Sequence, residues 1–85
     1  MPELDGEWKV VPLPGVRKRI RGDRGWTSIG RLPGAPFDVR GLELHYRFPF
    51  RGLVDVLEPD GDGYRGRATV FGRDVGGFRL RRSAS

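Results

Sequence analysis

The side chains whose types and spacing could do chemistry are few. His45 is the only histidine, standing between Glu43 and Arg47 on the polar face of an alternating run. With Asp55 from the following run it would form an acid/base pair if the two strands were neighbours and both side chains pointed inward. One imidazole cannot build a histidine-rich metal site, and a chain without cysteine offers neither thiolate ligands nor a thiol nucleophile. Of the three serines, Ser83 and Ser85 sit in the tail and Ser28 lies mid-strand, away from any sharp elbow that would expose a catalytic hydroxyl. An enzyme using His45, Asp55 or Glu43 therefore ranks below a binding protein.

Two loops imitate known sites. Gly61-Asp62-Gly63-Tyr64-Arg65-Gly66 spells G-x-G-x-x-G, but a dinucleotide fingerprint follows a strand and opens a helix, whereas these glycines open a strand. Glu58, Asp60 and Asp62 resemble the start of a calcium loop, yet the twelfth position, where a bidentate acid belongs, is Phe71. Both read as hairpin turn chemistry, and neither a metal nor a cofactor is expected.

Charge and aromatic content point to binding. The net charge is +5, fourteen of the sixteen basic residues are Arg, and acids are interleaved with them from Arg17 to Arg82. Such spacing gives either a solvated outer face or a surface for a polyanion. Tyr46-Arg47-Phe48-Pro49-Phe50-Arg51 could stack bases and hold phosphates, although core aromatics alternating with exposed arginines would spell the same string.

The elements that must position these residues are short. Fourteen Gly and seven Pro leave no window of about twelve residues with an unbroken apolar repeat at helical spacing. The runs between them alternate, which is strand grammar. Strands are predicted over 4–11, 16–21, 26–32, 37–39, 42–48, 52–58, 64–72 and 77–82, with turns at 22–25, 59–63 and 73–76 and a proline break at 32–36. Leu42, Leu44, Tyr46 and Phe48 should share one face, and the run around Leu53 to Leu57 is apolar on both faces except at Asp55. The expected fold is an all-β antiparallel up-and-down meander of seven or eight short strands closing into a barrel, a single domain over 3–82 with a disordered tail at 83–85.

A core this small, without disulfides, favours a homo-oligomer. No apolar run approaches the ~20 residues of a membrane helix. The opening residues lack a secretory pattern, so the cytoplasm is the expected compartment.

Leu4-Asp5-Gly6-Glu7-Trp8-Lys9-Val10 resembles the G-x-W signature on the first strand of lipocalins and fatty-acid-binding proteins, the calycin barrels. The resemblance implies that Gly6 and Trp8 are structural, with Trp8 plugging one end, and that an Arg late in the chain lies across the indole. By position Arg79 or Arg81 matches. The resemblance also implies a non-enzymatic barrel that binds a small apolar or amphipathic ligand in its mouth or at a subunit contact. Trp26, Phe37, Tyr46 and Phe48 would then form the walls, and Arg79 or Arg81 would meet an anionic head group. Ser28, Gly30, Gly66 and Ala68 stand at candidate inward positions, where they would either line a pocket or merely permit coiling of a tight barrel. The alternative is an Arg-rich barrel that binds single-stranded nucleic acid.

Overall fold

The computed structural model describes residues 4–83. Eight strands follow in chain order: β1 (Gly6–Val11), β2 (Val16–Arg21), β3 (Arg24–Ile29), β4 (Leu32–Arg40), β5 (Glu43–Tyr46), β6 (Leu53–Asp60), β7 (Gly63–Val70) and β8 (Arg73–Arg82). Each pairs antiparallel with the next, and β8 pairs back onto β1, so the meander closes into a barrel with no open edge. Among the described residues no helix is long and apolar enough to cross a membrane.

Local chemistry explains the meander. Gly22, Gly30, Gly41 and Gly61 each take φ between +58° and +62° at the first position of a two-residue turn, while the residue after each stays at negative φ. That is the signature of type II′ turns, whose twist matches the strands they join. The fifth two-residue turn differs: Phe71 and Gly72 both have positive φ, 48° and 82°, the type I′ pattern.

Several predicted boundaries move. The proline break at 32–36 is instead the first half of β4, because Pro36 lacks only a donor and its carbonyl still accepts from the Arg47 amide at 3.0 Å. The turn placed at 73–76 falls at Phe71-Gly72, and β6 runs on through Pro59 to Asp60. The strand expected to reach Phe48 ends at Tyr46, which leaves Phe48 81% exposed on the β5–β6 turn rather than on the apolar face. In the tail, the Ser83 amide donates to the Glu7 carbonyl; Ala84 and Ser85 lie outside the described residues.

Inward side chains fill the bore. Trp8, Phe37, Leu44 and Leu80 are all fully buried, each contributing about 1.5–3 kcal/mol or more of transfer free energy. Trp8 donates from Nε1 to the Leu4 carbonyl at 2.9 Å and meets Tyr64 edge-on with centroids 5.5 Å apart. The guanidinium across its face belongs to Arg82, 4.3 Å from the ring centroid, and not to Arg79 or Arg81. Register is the reason: Arg79 lies opposite Val11 and Arg81 opposite Lys9, both outward positions, whereas Arg82 lies opposite Trp8 itself. Gly6, at φ +123°, makes room for that arginine, since a Cβ there would meet Arg82 Nη1 at 2.7 Å.

Candidate functional site

Among the described residues the bore holds one ion pair. In β2 the alternation that buries Ile20 and turns Arg17, Arg19 and Arg21 outward must also turn Lys18 inward; in β6 the same parity carries Asp55 in with Leu53 and Leu57. The two strands stand four apart in a ring of eight, so the pair spans the barrel. Lys18, 4% exposed, places Nζ 3.0 Å from Oδ2 of Asp55, itself 3% exposed. Lys18 Nζ also donates to Thr27 Oγ1 at 2.7 Å and to the Tyr46 hydroxyl at 2.5 Å, and that hydroxyl donates to Asp55 at 2.9 Å. The rings of Phe37, Tyr46 and Phe78 surround the ammonium at 5.3–5.6 Å from their centroids.

This network is closed. Burial pushes the Lys18 amine below its ordinary value, opposed by the Asp55 charge, and desolvation drives the Tyr46 phenol far above its own. Among the described residues no buried side-chain polar atom lacks a partner. An amine with all three hydrogens committed to oxygens is an anchor between opposite walls, not a nucleophile.

The conditional acid/base pair of His45 and Asp55 is not formed. Leu44, not His45, lies opposite Asp55, and a shift of one residue sends the imidazole to the outer face, where Nε2 sits 2.8 Å from Glu43 Oε1.

The outer face of β7, β8, β1, β2 and β3 carries a different arrangement. Lys9 stands directly opposite Arg17 on one side and Arg81 on the other, and Arg79 stands opposite Arg65. All five are exposed. Like charges placed opposite one another on one face of a sheet destabilise it. Acids do neutralise neighbours: Glu7 pairs with Arg19, Asp74 with Arg67, Asp38 with Arg47 at 2.8 Å and Glu58 with Arg65 at 3.7 Å. The Arg19 guanidinium holds the Glu7 carboxyl below its ordinary value, as Arg47 does for Asp38. Among the described residues Lys9, Arg17, Arg79 and Arg81 form no ion pair, although the Arg17 charge adds to that of Arg19 in lowering the Glu7 carboxyl.

Two grooves flank that row. One, about 440 Å³, is lined by Arg17, Arg19, Trp26 and Ser28; the other, about 590 Å³, by Arg65, Arg67, Phe78 and Arg79. Trp26 remains 43% exposed with the Arg19 guanidinium 5.7 Å from its centroid.

The residues predicted to line a pocket are therefore dispersed. Phe37 and Tyr46 are buried in the bore, Tyr46 with its hydroxyl committed; Phe48 is on a turn; Trp26, Arg79 and Arg81 face outward. Ser28 also faces outward, opposite Arg17, while Gly66 is covered by the Phe78 ring, which a Cβ would meet at 2.3 Å. Lys18 and Thr27 went unnoticed in the sequence, though a legible signal was present: Lys18 stands at the inward parity between Val16 and Ile20. Neither a family model, nor a curated protein, nor a solved structure matches the chain.

Proposed function

We propose that this barrel binds single-stranded nucleic acid across the outer face of β7–β8–β1–β2–β3. The observation that carries the reading is the row in which Lys9 faces cations on both sides. Interleaved acids could have relieved that repulsion, as they do at Arg19, Arg47 and Arg67, and a phosphate backbone would relieve it on binding. Trp26, stacked by Arg19 beside the row, offers a face on which a base can stack. The filled bore gives little support to a ligand held within it. The stack of Gly6, Trp8 and Arg82 supports a second proposal about ancestry, that the chain is a shortened barrel of calycin type.

The test uses the two tryptophans. Trp8 is buried, so a single-stranded oligonucleotide should quench Trp26 alone. Four phosphate contacts predict a slope of log affinity against log salt of about −3, falling to about −1.4 when Lys9→Ser and Arg81→Ser are combined. Emission unchanged at saturating oligonucleotide, or affinity independent of salt, would refute the reading.

A further inference from the structure

The two ends of the barrel are built from different residues. The β1–β2, β3–β4, β5–β6 and β7–β8 turns all emerge at one end, because alternate connections of an up-and-down meander do so. That end displays Leu13, Ile29, Leu32, Phe48, Phe50 and Phe71, with Leu32 67% exposed and Phe71 83% exposed. Arg31, Arg51 and Arg73 lie on or beside the same turns, and the carboxylates near them, Asp74 and Asp38, are paired with Arg67 and Arg47. The opposite end mixes Asp5, Asp23, Asp60 and Asp62 among its arginines, and among the described residues its one exposed apolar tip is Leu42.

We propose that the apolar end is a docking surface for an anionic phospholipid bilayer, with the tips in the headgroup–acyl boundary and the arginines on lipid phosphates. Apolar tips alone would suit a second copy of the chain equally well, but face-to-face pairing would bring two arginine-bearing rims together. The charge complement of a rim whose three arginines form no ion pair among the described residues is an anionic surface, and apolar side chains among those cations give the two contributions that hold a protein at a membrane interface. The tips are also preorganised. Gly30 donates its amide to the Gly15 carbonyl at 2.9 Å and Phe71 to the Gly52 carbonyl at 2.8 Å, tying the turns together in pairs. Among the described residues Phe71 is the only non-glycine at positive φ, at a turn position where Asn or Asp fits better, so the turn geometry does not explain why a large exposed aromatic stands there.

The experiment is flotation of the purified protein with vesicles of phosphatidylcholine alone and of phosphatidylcholine with phosphatidylglycerol. Binding is expected to the second and not to the first. In a Trp26→Phe background, Phe48→Trp should shift to the blue on binding. Phe48→Ser and Phe71→Asn, which leave the charge unchanged, should each weaken vesicle binding about tenfold. Replacing Arg31, Arg51 and Arg73 together with Ser should weaken it about a hundredfold. Phe71→Asn should keep or raise the urea midpoint and leave oligonucleotide binding unaltered, so a general loss of fold cannot imitate the result. Equal binding to neutral vesicles, undiminished binding by the two phenylalanine variants, or a stable dimer that ignores vesicles would each overturn the proposal.

Discussion

Lys18 and Lys9 sit on adjacent strands and meet opposite fates. Lys18 is inside, where it has an acid, two hydroxyls and three aromatic faces; Lys9 is outside, where it has arginines across both strand pairings. The interior cannot hold a cation without neutralising it, because desolvation in a low-dielectric bore costs several kcal/mol per ion. The exterior can, since water screens the repulsion to a few tenths of a kcal/mol per pair. Unmatched charge in the bore would therefore unfold the barrel, whereas unmatched charge on the wall remains available to a partner.

The sharpest way to break that contrast is to remove the inner acid. Asp55→Asn leaves Lys18 buried without its counter-charge and should destabilise the barrel by about 3–5 kcal/mol. A chain of this length has only about 4–13 kcal/mol in total, so the urea midpoint should collapse or the protein fail to fold. The double variant Lys18→Met with Asp55→Leu should return stability to the starting value or above it. A double variant as unstable as the single one would show that the pair holds the walls in a way apolar packing cannot replace.

A smaller loss follows from Tyr46→Phe, which deletes the hydroxyl linking Lys18 to Asp55, at about 1–3 kcal/mol. The same hydroxyl sets an alkaline signature. Burial holds the folded phenol above its ordinary value of 10.0, so rising pH strips the unfolded chain first and stability falls. Lys18 acts in the opposite sense, since its folded pKa is below 10.5, but that contribution is complete once pH passes 10.5. Above that pH the urea midpoint should fall in the parent and fall less in Tyr46→Phe.

The smallest effect concerns the outer row. Lys9→Glu turns two like-charge pairings into opposite-charge ones and should raise stability by about 0.5 kcal/mol while weakening oligonucleotide binding. A loss of stability instead would mean that the cations on this face are not in conflict.

How much was legible depended on whether a feature is local. The all-β meander followed from alternation and from glycine spacing, and Trp8 and Gly6 were singled out from a three-residue motif. The arginine across Trp8 was missed by one to three positions, because nothing within the Arg79 to Arg82 segment fixes its register against β1. Of the four expected wall residues, Phe37 and Tyr46 face the bore and Trp26 and Phe48 do not. Aromaticity suggests a lining role for Trp26, but Gly25 and Thr27 hold the inward positions on either side and send it outward, and Phe48 lies beyond the last residue that pairs.

Residue order thus determined which side chains share a face, since successive Cβ atoms in a strand alternate regardless of what surrounds them. It also determined where the chain reverses, since glycine at positive φ and proline act within two or three residues. Only closure of the sheet decided which faces meet. Lys18 and Asp55 come together across the bore, and Lys9 between Arg17 and Arg81, because hydrogen-bond register and the return of β8 to β1 are set by the whole ring of strands.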